Sequence, residues 1–133
     1  MNKMLLTLSL MVLSGSVPAQ ESPTTPKAAH VKITQGPEIE LAREYLTIIR
    51  WTVNNPGGSP VHYGVVRYGS DPKDLRETAR NPIRLNPGHA ATVFRVRLDN
   101  LKPRTTYYYT VSSIEANGRS DKVTSGVNNF TTP

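Results

Sequence analysis

From about residue 30 to its end, the chain alternates short apolar-rich runs with turns built from Gly, Pro and Asn. Val31-Lys32-Ile33-Thr34 alternates apolar with polar and stops at Gly36-Pro37, which predicts a first strand. Tyr45 to Val53 is dense in β-branched and aromatic residues and ends at Asn54-Asn55-Pro56-Gly57-Gly58. A helix from Ile39 to Trp51 would suit the LAREYL lead-in, but the Thr-Ile-Ile-Arg-Trp-Thr-Val centre favours a strand. Val61 to Gly69 predicts a third strand, and Ser70-Asp71-Pro72 then turns the chain. Leu75 to Ala79 is a weak segment, either an edge strand or one helical turn. Ala90 to Leu98 sets Phe94, Val96 and Leu98 on one side and Arg95 and Arg97 on the other. Thr105 to Ile114 predicts the next strand, Asn117-Gly118 a hairpin loop, and Val123 to Thr131 a closing strand. Six or seven short strands spaced by turns predict an all-β sandwich or barrel, and spacing alone does not separate the two.

The N-terminus follows another pattern. Lys3 precedes a short apolar run from Met4 to Leu13, Ser14-Gly15-Ser16 breaks it, and Val17-Pro18-Ala19 offers small residues before Gln20. This is the anatomy of a secretory signal peptide over residues 1–19, which predicts a secreted or periplasmic protein. The run is about half of the roughly 20 residues that a membrane-spanning helix needs. Residues 20–29 are rich in Pro and Thr without an apolar period and predict a flexible linker. Residues 30–133 are then the folded domain.

Composition narrows the chemistry. A chain of 133 residues, 37% of them hydrophobic, suits one small domain. With no Cys, a disulfide framework, a Cys-ligated zinc site and a thiol nucleophile are all ruled out. The formal charge of +6, from 16 Lys and Arg against 10 Asp and Glu, fits an anionic partner without demanding one.

Leu101-Lys102-Pro103-Arg104-Thr105-Thr106-Tyr107-Tyr108-Tyr109-Thr110-Val111 resembles the L-x-P-x-T-x-Y-x-Y-x-V signature of fibronectin type III domains, and Ile49-Arg50-Trp51 looks like that family's core Trp strand. Val66-Arg67-Tyr68-Gly69, Phe94-Arg95-Val96-Arg97-Leu98 and the terminal Phe130-Thr131-Thr132-Pro133 resemble one branch more closely. That branch is the N-terminal fibronectin-like domain of purple acid phosphatases and related metallophosphoesterases. The resemblance spans roughly residues 31 to 133. It implies an all-β, immunoglobulin-like sandwich of about seven antiparallel strands. Leu101 and Pro103 would stiffen the crossing loop, and Tyr107 would send its hydroxyl back to a loop carbonyl as a tyrosine corner. Tyr109 and Val111 continue the inward parity and face Ile49, Trp51 and Val53, with Val66, Tyr68, Phe94, Val96 and Leu98 completing the core.

A catalytic apparatus is not expected. The metals of the resembled enzymes sit in a separate domain whose Gly-Asp, Gly-Asn-His and Gly-His-x-His motifs do not occur here. His30, His62 and His89 lie far apart and are read as surface or loop residues, so neither a metal nor another cofactor is expected. No G-x-S-x-G elbow occurs, and Asp71, Asp74 and Glu77 are interleaved with Lys73, Arg76 and Arg80 as in a solvated segment. Gly118-Arg119-Ser120-Asp121 has the wrong order for an integrin motif, and Asn129-Phe130-Thr131 is a glycosylation sequon only formally.

Two outward faces remain. Arg50, Arg95 and Arg97, with Lys32 alongside, predict a basic face on one sheet. Tyr63, Val65 and Arg67 beside Tyr108 and Thr110 predict a partner-binding face on the other. Basic and aromatic residues divide between the faces, which argues against nucleic acid. The expectation is a monomeric, secreted, non-catalytic module whose partner is a protein or an extracellular or envelope surface component. One alternative is a detached accessory domain of a phosphatase, with phosphatase activity and metal binding only by family inheritance. Another is binding of an anionic envelope polymer or polysaccharide through the arginine face.

Overall fold

A computed structural model describes residues 25–133; the leader and the first half of the expected linker lie outside the described residues. The described chain folds into eight strands: β1 Ile33–Ala42, β2 Leu46–Asn54, β3 Val61–Gly69, β4 Glu77–Arg84, β5 Ala91–Asp99, β6 Thr106–Glu115, β7 Ser120–Thr124 and β8 Asn128–Thr131. All pairings between these strands are antiparallel. One sheet runs β1-β2-β5, and the other runs β4-β3-β6-β7 with β8 also on β6.

The inward parity is as expected. Ile49, Trp51 and Val53 from one sheet meet Val66, Tyr109 and Val111 from the other, with Phe94, Val96 and Leu98 beside them. Trp51 stacks on Phe94 with ring centroids 5.3 Å apart. Room for that indole comes from Gly64, where a Cβ would lie 2.9 Å from Phe94 and 3.0 Å from Trp51. Truncating Trp51 would open a cavity at this centre at a cost of about 3–5 kcal/mol.

Several boundaries differ from the sequence reading. The first strand does not stop at Gly36-Pro37: β1 continues to Ala42 through register shifts around that pair. Gly36 makes the passage possible with φ +79, at a point where a Cβ would lie 2.8 Å from the Arg50 carbonyl. The weak segment at Leu75 to Ala79 is an edge strand displaced to Glu77–Arg84. The closing strand is divided in two, β7 and β8. The tyrosine corner is present with reversed polarity: the Tyr107 hydroxyl accepts the Lys102 amide at 2.8 Å instead of donating to a carbonyl. Leu101 is buried under this loop and Pro103 is exposed on it.

Residues 25–29 are also not a free tether. Gly58 donates its amide to the Thr25 carbonyl at 2.8 Å, and the Ala28 amide reaches Pro56 at 2.9 Å. Gly57, at φ +61, lets this strap close down, since a Cβ there would fall 2.0 Å from the Pro26 carbonyl oxygen.

Candidate interaction surface

The outer face of β1-β2-β5 holds the predicted arginines, and each has a carboxylate beside it. Arg50 lies opposite Arg95 in the ladder. Glu38 is 3.9 Å from Arg50, Glu40 takes the Arg95 Nε at 2.9 Å, and Asp99 takes the Arg97 Nε at 2.5 Å. The expected basic face is therefore a ladder of exposed ion pairs. Lys32 is exposed near the start of β1, where its amide donates to the Asn54 side chain.

The outer face of the second sheet is different. Tyr63, Val65 and Arg67 share it with Tyr108 and Thr110, because Arg67 pairs with Thr110 and Val65 with Ser112. β4 adds Arg80 opposite Val65 and Thr78 opposite Arg67. The Arg80 guanidinium sits 5.0 Å above the Tyr63 ring, a cation–π contact. None of the residues that β3, β4 and β6 send to this face is a carboxylate. Basic and aromatic groups thus coincide here, contrary to the division read from the sequence. The tyrosines do not form an adjacent pair, however. Tyr108 lies opposite Gly69, six positions along β3 from Tyr63, which separates them by about 20 Å.

A third cluster, which sequence reasoning missed, lies inside the base of the sandwich. His62 is fully buried, not a surface residue. Its Nδ1 meets Asp121 Oδ2 at 2.8 Å, and its Nε2 donates to the Gly57 carbonyl at 2.9 Å. Ser113 Oγ donates to the same Asp121 oxygen at 2.6 Å, while Lys27 from the strap binds Asp121 Oδ1. Glu115 completes the cluster, accepting the Ser59 amide at 2.8 Å and lying 3.7 Å from Lys27. Burial alone would raise the Asp121 carboxyl, but the hydrogen bonds from His62, Lys27 and Ser113 outweigh it and hold the group below its ordinary 3.8.

Ser113, His62 and Asp121 are wired for cohesion, not nucleophilic attack. The serine bonds the aspartate instead of the histidine, and both ring nitrogens are already engaged. Parity was the available signal, since His62 lies four residues before inward-facing Val66 on the same strand. His30 and His89 are exposed. Among the described residues, no group of three or more His, Cys, Asp or Glu could hold a metal ion, and no helix is long and apolar enough to cross a membrane.

The sensor domain of the anti-sigma factor RsgI4 from Pseudobacteroides cellulosolvens, in a long form, matches this architecture with a TM-score of 0.51 at 17% identity, covering 77% of this chain and 88% of that one. A solution structure of the same sensor domain gives 0.50 at 16% identity, covering 77% and 74%. The fn3 domain of human contactin 1 gives 0.49 at 17% identity, covering 90% and 89%. No curated protein matches the sequence. The family model described as "Purple acid Phosphatase, N-terminal domain" matches residues 26–132, the strap included. With its two antiparallel sheets and its tyrosine corner, the chain belongs to the purple acid phosphatase N-terminal domain family and has a fibronectin type III fold.

Proposed function

We propose that this protein is an exported, non-catalytic interaction module that holds a protein or envelope partner on the outer face of β3, β4 and β6. The observation that carries this reading is the company Arg67 and Arg80 keep. They stand among Tyr63, Val65 and Tyr108 with no carboxylate on those strands' outer positions, whereas Arg50, Arg95 and Arg97 are each paired. Tyr and Arg dominate binding hot spots because each buries a large area around a polar handle. Export rests on the leader pattern of residues 1–19, and N-terminal mass analysis of exported material should find Gln20 first.

Pull-down from the native extracellular fraction tests the face. Substituting both Tyr63 and Tyr108 by Ala should remove most partner binding and leave Tm within a few degrees. If that variant keeps its partner while an Arg50, Arg95 and Arg97 triple variant loses it, the assignment fails. The ion pairs weaken the anionic-polymer alternative, because they cancel the charge excess on which it rested.

A second reading is favoured by the family match over residues 26–132: the module serves as an accessory domain to a phosphatase catalytic unit. Phosphatase chemistry and metal binding would then belong to that unit. Purified protein should hydrolyse no phosphomonoester above background, with or without zinc, iron or manganese.

A further inference from the structure

The strap and the β6–β7 hairpin enclose a groove of about 300 Å³, lined by Lys27, His30, Lys32, Arg119, Asp121 and Lys122 among others. That volume is at the lower end of the range for small-molecule sites. We propose that this groove is a binding site for a compact, multiply charged oxyanion, carrying phosphate or carboxylate groups.

The charges of the groove are unevenly committed. Asp121 is its one carboxylate, and it is turned inward: Lys27 takes Oδ1, while His62 and Ser113 occupy Oδ2. An entering anion therefore meets a compensated floor. The rim is not compensated. Among the described residues Lys32 and Lys122 make no ion pair, and Arg119 only approaches Glu115, at 3.8 Å.

The backbone builds this division. β7 joins β6 through a register shift between Ser112 and Ile114, and Lys122 has φ 57, a left-handed conformation unusual for Lys. Its amide is held by Ser120 Oγ at 2.8 Å. That bend buries Asp121 while its neighbour Lys122 stays exposed on the rim. A strained residue held in place by its surroundings is a common feature of ligand sites.

The far end of the sandwich is of mixed charge. There Asp71, Asp74 and Glu77 line one cleft with Arg76 and Lys102, and Glu77 and Asp99 line another with Lys102. The basic groove is thus a local feature and not a sample of the net charge. Two or more fixed cations around one concavity favour a ligand with several charged oxygens over a single-charge ion.

Titration of the full chain with pyrophosphate and with citrate tests the site, followed by amide NMR shifts and calorimetry at low and physiological salt. Saturable shifts confined to residues 27–32 and 119–122 are expected. Preference for pyrophosphate assigns a phosphate-bearing ligand, and preference for citrate a polycarboxylate. The double variant Lys32→Ala, Lys122→Ala should lose about tenfold in affinity while keeping the wild-type Tm. Lys32→Arg with Lys122→Arg should retain binding, which separates loss of charge from loss of structure. The proposal is overturned if no shift occurs at millimolar anion. It is equally overturned if shifts at Arg67 and Arg80 match those of the groove and the alanine variant binds as wild type. The partner face is assigned by pull-down and not by anion affinity, so the two assignments fail independently.

Discussion

Two sets of charged side chains in this molecule share the same chemistry and differ in their surroundings. On the outside of β1-β2-β5, Glu38, Glu40 and Asp99 accompany Arg50, Arg95 and Arg97 with side chains at least a third exposed. At the base, Lys27, His62, Ser113 and Asp121 converge where the histidine and aspartate side chains are wholly shielded from solvent. Water already solvates the outer set, so each pair there adds little and is weakened further by salt. In the inner set the His62 and Asp121 side chains have no water to fall back on, and removing Asp121 leaves His62 Nδ1 and Ser113 Oγ buried without their partner. Position along the dielectric gradient, not the number of ion pairs, decides which set holds the domain together.

The strongest way to break this contrast is Asp121→Ala, which leaves His62 Nδ1 and Ser113 Oγ buried without their acceptor and Lys27 with only its longer approach to Glu115. A loss of about 3–5 kcal/mol is expected in urea denaturation at neutral pH. A loss as small as that of an outer pair would erase the distinction.

Acid titration sharpens it next. The folded-state carboxyl of Asp121 is held below its unfolded value, so its contribution is fully present above the ordinary 3.8. It disappears as pH falls through the lower folded value. Stability followed by circular dichroism should therefore show a decline below about pH 4 in wild type that Asp121→Asn lacks.

Tyr107→Phe supplies an intermediate, uncharged case. Removing the acceptor for the Lys102 amide should cost about 0.5–1.5 kcal/mol, while Tyr108→Phe, on the outer parity, should be nearly silent. Equal effects would place the two rings on the wrong sides of β6. The smallest effect belongs to the outer ladder. A double-mutant cycle on Glu40 and Arg95 should return about 0.2–1 kcal/mol of coupling at low salt and less at high salt.

How far the sequence revealed these sets follows from the range of the interactions. The strand at Val61 to Gly69 and the inward positions of Trp51, Phe94 and Val111 were legible because alternation is a local signal. The arginine parity was legible for the same reason. The neutralisation of Arg50 and Arg95 was not, because Gly36-Pro37 reads as a strand end and so leaves Glu38 and Glu40 off the sheet. Asp99, two residues after Arg97 on β5, was within local reach, and its pairing went unread. His62 could have been placed inward by counting back from Val66. Its partner Asp121 lies 59 residues away beyond an irregular register, and no local pattern announces that pairing. The docking of Lys27 was hidden likewise, since Pro- and Thr-rich composition reads as a linker until Gly57 and Asp121 are seen beneath it.

The strap also determines how the domain would transmit mechanical load. Thr25 is fastened beside Gly58 at the base, whereas Pro133 is fastened to Arg104 at the opposite end. Tension between these two points would run along the strands, drawing β1 past β2 and β8 past β6. Antiparallel hydrogen bonds lie across that direction, so the rungs of each ladder would be loaded together instead of opening one by one. Resistance to forced unfolding would then depend on the unfolding barrier of whole ladders, with the Thr25–Gly58 bridge and then the Lys27 clasp taking up the pull before them.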